Sequence, residues 1–194
     1  MNMLARVAPA RYVPAPVGLI LEPAGEAHLA AMAAIYREQL EDGLGSFEDP
    51  VPDAAEIGRR LAAARAEGLP AWVALDDAGH VLGFCWARPF RPLAAYRGTV
   101  EDSIHVARAA RRRGVGQALL ETVIEACTGL GYRQMIAVVG DARNVASIRL
   151  HESLGFTVVG LLPGAGAKPG GPVDVVLLQR ALDASGLGGA QRRC

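Results

Sequence analysis

The stretch that most constrains this chain is Arg111-Arg112-Arg113-Gly114-Val115-Gly116-Gln117-Ala118-Leu119-Leu120, a basic turn running directly into an apolar helical pattern. Leu119, Val123 and Cys127 recur at helical spacing, with Leu120 and Ile124 beside them, so one face of the segment calls for burial. Gly114 and Gly116 flank Val115 and leave the backbone open to close approach by a ligand. The first turn of a helix carries backbone N–H groups without internal partners, and they face whatever occupies the turn. Phosphate suits that environment, with the three guanidinium groups as counter-charge. Taken alone, such a turn is more often just a solvated helix cap, so its neighbours must decide.

Those neighbours read as one domain. A chain of 194 residues supports one well-cored unit, with a lead over 1–16 and a tail over 183–194 expected to be flexible or disordered. Twenty basic residues against twenty acidic ones argue against nucleic-acid binding through a global positive field. No apolar run approaches the ~20 residues needed to cross a bilayer, and 1–16 lacks the compact apolar stretch of a secretory signal. Cys85 and Cys127 fall in apolar surroundings and read as reduced core thiols, and four scattered histidines give no metal signature, so a cytoplasmic protein is expected.

In chain order, 17–21 is a short strand. Leu29, Met32, Ile35, Tyr36 and Leu40 mark a helix, and Asp53 caps a second one with Glu56 placed to reach back. Apolar strands at 71–75 and 81–87 flank a hairpin turn at 76–80. Strand Thr99–Val106 alternates: Val100, Asp102, Ile104 and Val106 face one way, and Thr99, Glu101, Ser103 and His105 the other. After the basic turn and its helix come strand Gln134–Val139, a helix from Asn144 to Gly155, a strand at 156–161, a glycine-rich loop at 163–172 and a last strand at 173–178. This order predicts an α/β (α+β) domain with a mixed, largely antiparallel central sheet flanked by helices.

In that order, Arg111-x-x-Gly114-x-Gly116, Asn144-x-x-Ser147 and Leu150-His151-Glu152-Ser153-Leu154-Gly155-Phe156 together resemble the GCN5-related N-acetyltransferase superfamily. Thr99-Val100-Glu101-Asp102-Ser103 and Val138-Val139-Gly140-Asp141 resemble, within it, the phosphinothricin and methionine-sulfone acetyltransferase group. The similarity spans roughly 17–182. It implies a single GNAT domain whose sheet splays between its fourth and fifth strands, and an enzyme that moves an acetyl group from acetyl-CoA to a small-molecule amine, an amino acid or its analogue. The pyrophosphate would then sit on Arg111, Arg112, Arg113, Gly114, Val115, Gly116 and Gln117, and the pantetheine arm along Ile104, His105 and Val106.

Acetyl transfer to an amine needs a base, donors for a developing oxyanion and a proton for the departing thiolate. The resemblance assigns the base to Glu101, which could alternatively be paired with Arg91 or Arg97. It also implies His151 as the proton donor; a lone helical histidine is otherwise a structural residue. Asn144, Ser147 and His151 share one helical face, Asn144 being either a cap or a contact to the CoA arm. Phe47, Arg91 and Tyr96 match the acceptor side, while Leu93 and the 163–172 segment lack a basic residue and two aromatics common in the group. A homodimer is expected from the same likeness. A protein N-acetyltransferase or a non-catalytic acyl-CoA-binding domain are the alternatives.

Overall fold

The computed structural model describes residues 18–43, 48, 50–168 and 170–182. The expected lead, the expected tail and Phe47 lie outside the described residues. Seven strands and four helices follow the predicted order: β1 (Ile20–Pro23), α1 (Leu29–Glu41), α2 (Ala54–Ala66), β2 (Ala71–Leu75), β3 (Val81–Pro89), β4 (Thr99–Val106), α3 (Val115–Gly129), β5 (Gln134–Val139), α4 (Val145–Ser153), β6 (Thr157–Lys168) and β7 (Gly171–Ala181). They form one sheet in the order β1-β2-β3-β4-β5-β7-β6. Every neighbouring pair is antiparallel except β4 and β5, which run parallel.

Local chemistry accounts for the element ends. The Asp53 carboxylate accepts from the Glu56 N–H at 2.8 Å and starts α2. Glu56 does not reach back to complete a capping box; its carboxylate is taken by Arg59 and Arg60. Gly68, at φ 68°, takes the left-handed turn that ends α2. Between β2 and β3, Asp76 Oδ1 accepts from the N–H groups of Ala78 and His80, which fixes the hairpin turn.

Two apolar layers sandwich the sheet. On one face Met32, Tyr36, Ile57 and Leu61 of α1 and α2 pack on Val73, Phe84 and Trp86. On the other, Leu119, Leu120, Val123 and Cys127 of α3 pack on Cys85, Val100, Met135 and Leu178. Because β3 is covered on both faces, it reads as a continuous apolar run rather than an alternating one. Cys85 and Cys127 are buried free thiols in the second layer.

One expectation is corrected. The segment 163–172 is not a loop: β6 and β7 extend through it as a long hairpin. A register shift between Leu162 and Gly166 absorbs Pro163 and Gly164 on the edge strand, where a missing N–H and a left-handed residue are tolerated. The Asp174 carboxylate accepts from the Gly164 N–H at 2.8 Å and pins this bulge.

The pairing that matters most is the shortest. β4 and β5 are paired only at Thr99↔Gln134, Val100↔Met135 and Glu101↔Ile136. Beyond Glu101 the two strands part, as the expected splay requires.

Candidate active site

The parted strands open a cavity of about 1520 Å³. Residues 102–106 form one lip and 137–140 the other, with His151 of α4 at its base. The basic turn and the start of α3 line it beside Val106, and α2 and Arg88 line it beside Glu101.

At the basic turn, Gly114 takes a left-handed conformation (φ 80°) as the N-cap of α3. It supplies no side-chain acceptor, so the N–H groups of the first turn stay unclaimed by a cap. A Cβ on Gly116 would meet Leu150 Cδ2 at 3.3 Å and Val106 Cγ2 at 3.4 Å, a tight fit that larger side chains would worsen where helix, lip and cavity meet. Arg112 also adopts a positive φ of 62°, an uncommon conformation for a side-chain-bearing residue and one concentrated at binding sites.

The three arginines divide. Arg112 lines the cavity and Arg113 does not. Arg111 lines it but is committed to Asp42, 2.5 Å away, and its Nε donates to the Val106 carbonyl. Burial pushes the Asp42 carboxyl up, but Arg111 and Arg108 more than offset this and hold it below the usual range. The Arg108 N–H donates to Glu38, so the C-terminal end of α1 grips the turn through two carboxylates.

The base of the cavity holds a pair that the sequence reading did not assemble. His151 and Asp102 are both buried, with Nε2 3.1 Å from Asp102 Oδ2 and Nδ1 2.8 Å from the Ser147 carbonyl oxygen. Both partners are acceptors, so the ring satisfies both only when each nitrogen carries a proton. Burial pushes the imidazole pKa down, but the Asp102 charge, its hydrogen bond and the Ser147 carbonyl outweigh it, and the net shift is upward. Phe156 meets the ring edge-on at 5.0 Å and fixes its plane. Asp102 Oδ1 is buried without a hydrogen-bond partner among the described residues.

On the opposite face of β4, Glu101 accepts from Arg88 at 2.5 Å. The two are cross-strand neighbours in the β3–β4 register. Ser103 Oγ lies 3.0 Å from His105 Nε2, and the His105 ring sits between Tyr36 and Phe84 at 4.5 and 4.9 Å. Burial, aided by the charge of Arg60, pushes its pKa down to about 3. His105 is therefore a neutral packing residue at physiological pH, and its part in any binding edge belongs to its backbone. Arg60 bridges Glu48 and Glu56.

Residues 30–156 match the family model described as Acetyltransferase (GNAT) family. The chain belongs to the GNAT acetyltransferase family. It is 45% identical to a phosphinothricin N-acetyltransferase of Alcaligenes faecalis over 80% of this chain and 79% of that one. It is 35% identical to an L-methionine sulfoximine/L-methionine sulfone acetyltransferase of Pseudomonas paraeruginosa over 84% of this chain and 94% of that one. A GNAT phosphinothricin acetyltransferase from Sinorhizobium meliloti, solved in complex with AcCoA, superposes with a TM-score of 0.83 at 39% identity, covering 91% of this chain and 95% of that one.

Within this GNAT domain the sequence-derived residues fall into three groups. Glu101, Ile104, His105, Val106, Arg111, Arg112, Gly114, Gly116, Gln117, Asn144, Ser147 and His151 all line the cavity. Val115 does not, because its side chain is buried in the core between α3 and the sheet. Asn144 is the N-cap of α4, accepting from the Ser147 N–H at 3.2 Å, and it lines the cavity as well. Arg91 and Tyr96 are not brought to the cavity: both pack on Phe90, Arg91 with its guanidinium 5.0 Å from the ring and Tyr96 edge-on at 5.8 Å. The arginine that pairs with Glu101 is Arg88, rather than Arg91 or Arg97.

Two functional candidates escaped the sequence reading. Asp102 was placed on the apolar face of β4, and that placement was itself the signal. A carboxylate among Val100, Ile104 and Val106 requires a buried partner. Arg88 ends an apolar strand and carried no motif.

Proposed function

We propose that this chain transfers the acetyl group of acetyl-CoA to the primary amine of a small amino acid or amino-acid analogue, of the phosphinothricin or methionine-sulfone type. The observation that carries this reading is the continuity of one cavity from the N-terminus of α3, through the gap between β4 and β5, to Glu101. The residues fit the cofactor. Unclaimed N–H groups at 115–117 and the exposed guanidinium of Arg112 suit a pyrophosphate, and the bare backbone at Gly116 lets it approach. The unpaired stretch of β4 offers backbone groups to an amide-bearing arm in the manner of an added strand.

Glu101 takes the proton from the ammonium, through a water, so that the amine attacks as a neutral nucleophile. The backbone N–H of Val106 supplies a donor to the charge that develops on the carbonyl oxygen. The Asp102–His151 pair stores a proton at the base of the same gap and is the source for the departing thiolate. Acetyl-CoA-dependent thiol release across amino acids, polyamines and peptides tests the assignment. Release with amino acids is expected; release with none, alongside measurable acetyl-CoA binding, would leave only a binding domain. Glu101→Gln is expected to lower turnover by roughly 10²- to 10⁴-fold while leaving acetyl-CoA affinity nearly intact. Equal turnover would remove Glu101 from the mechanism.

A homodimer and a cytoplasmic setting complete the proposal. Val158, Val159, Leu161 and Leu162 are roughly half exposed along β6, an edge strand that offers a surface to a second copy. Buried free thiols at Cys85 and Cys127 fit a reducing compartment. Light scattering on the purified protein distinguishes one copy from two.

A further inference from the structure

We propose that Asp42 is an internal competitor for the phosphates of the acyl donor: it holds Arg111 while the turn before α3 is empty, yields it to the pyrophosphate, and reclaims it as CoA leaves. This deepens the acetyl-CoA reading above and rests on it.

The position of Asp42 runs against local rules. It is the C-cap of α1, with Glu38 and Glu41 in the turn before it. The helix dipole already places partial negative charge there, so a carboxylate is unfavourable unless something outside the helix compensates. The compensation is the basic turn, where four guanidinium groups fall within 108–113. Asp42 Oδ1 accepts from Arg108 at 2.6 Å, and Oδ2 meets Arg111 Nη2 at 2.5 Å. Asp42 and Arg111 both line the cavity. Their contact is close but poorly directed: Asp42 Oδ2 and Arg111 Nη2 are shielded from solvent, and neither makes a well-formed hydrogen bond among the described residues. A guanidinium held in this way is open to a better acceptor, and a pyrophosphate brings more charge and more oxygens than one carboxylate.

The surroundings let Arg111 change partners without losing its place. Its Nε donates to the Val106 carbonyl at 3.4 Å, away from Asp42. Gln39, three residues before Asp42 on α1, donates its Nε2 to the same oxygen at 2.7 Å and ties the helix to β4 independently. Arg108 keeps Glu38 through its backbone N–H at 2.8 Å. The exchange is therefore confined to one end of one guanidinium. In the empty state Asp42 relieves the repulsion among the arginines; in the loaded state its charge opposes the phosphates. That opposition lowers affinity for phosphate-bearing ligands alone and speeds the departure of CoA.

The test is calorimetric titration of CoA, and of pantetheine, which lacks every phosphate, into wild type, D42N, R111Q and the double variant. D42N is expected to bind CoA roughly 5- to 20-fold more tightly than wild type, with the gain shrinking as salt is raised. Pantetheine affinity should stay unchanged. In the R111Q background the contested group is gone, so D42N should gain no more than about twofold. Absence of tightening in D42N overturns the proposal. So does an equal gain on pantetheine, which would report a change in the fold, or an undiminished gain in R111Q, which would report a general field rather than a competition. D42S, uncharged and shorter, repeats the measurement; loss of the folded circular dichroism spectrum in both variants would make the pair structural and overturn the proposal as well. Failure of wild type to bind CoA defeats the acetyl-CoA reading and this inference together, whereas wild-type binding without the D42N gain defeats this inference alone.

Discussion

At the base of the cavity a single imidazole is held between two acceptors, and its proton content is set by Asp102. Replacing Asp102 with Asn removes the charge but keeps the shape. The His151 pKa should then fall, because burial remains while the offsetting carboxylate is gone. A proton-detected titration of the ring reads this directly, and the pH profile of kcat should shift with it. The folded imidazole holds its proton more tightly than a free one, whose pKa is 6.5. The pair's contribution to stability is thus complete below that value and is lost as pH rises through the raised folded value. Denaturant titration should show Asp102→Asn less stable by about 1–3 kcal/mol near pH 6, with a smaller gap near pH 9. An equal gap at both would mean that the pair is not an ion pair. Glu101 and His151 were legible as candidates through the family resemblance, because each belongs to a short motif. Their partners were not, since Asp102 meets His151 across 49 residues and Arg88 meets Glu101 only through strand register.

Among the elements, the start of α3 does the most with the least sequence. Gly114→Ala forces a side chain into the left-handed region and should cost about 1–2 kcal/mol of stability. Gly116→Val acts differently. Its side chain would press on Leu150 and Val106 where the helix meets the cavity, so acetyl-CoA affinity should fall by at least tenfold, about 1.4 kcal/mol. Isothermal calorimetry separates the two effects. Helix and strand order were legible throughout because apolar periodicity and caps such as Asp53 act locally. The β6–β7 hairpin was not, because Pro163 and the glycines around it carry turn propensities. Tertiary pairing with β7 and the Asp174 contact override them.

For the whole molecule, the cavity runs between two halves of the domain. α3 packs on β2, β3 and β4, and α4 on β5 and β6. Saturating acetyl-CoA at about 100 times its Kd should stabilise the native state by about 2.7 kcal/mol, or roughly 5–11 °C in Tm for a chain of this size. Thermal melts with and without the cofactor measure it, and no shift would argue against binding in this cavity. The Lys168 ammonium, at the end of β6, donates to the Gly43 carbonyl at 2.6 Å and stands 3.7 Å from Asp141. One side chain thereby ties the hairpin to the end of α1 and to the loop before α4.

The three-residue pairing of β4 with β5 carries a consequence for local opening. A sheet seam this short is where the domain's cooperativity is thinnest, so backbone amides at 102–106 and 137–139 should exchange with deuterium sooner than those of β3 or β7. A bound acyl donor would act there as mortar between two leaves. Its signature would be slowed exchange on both sides of the seam at once, reaching residues the ligand itself does not touch.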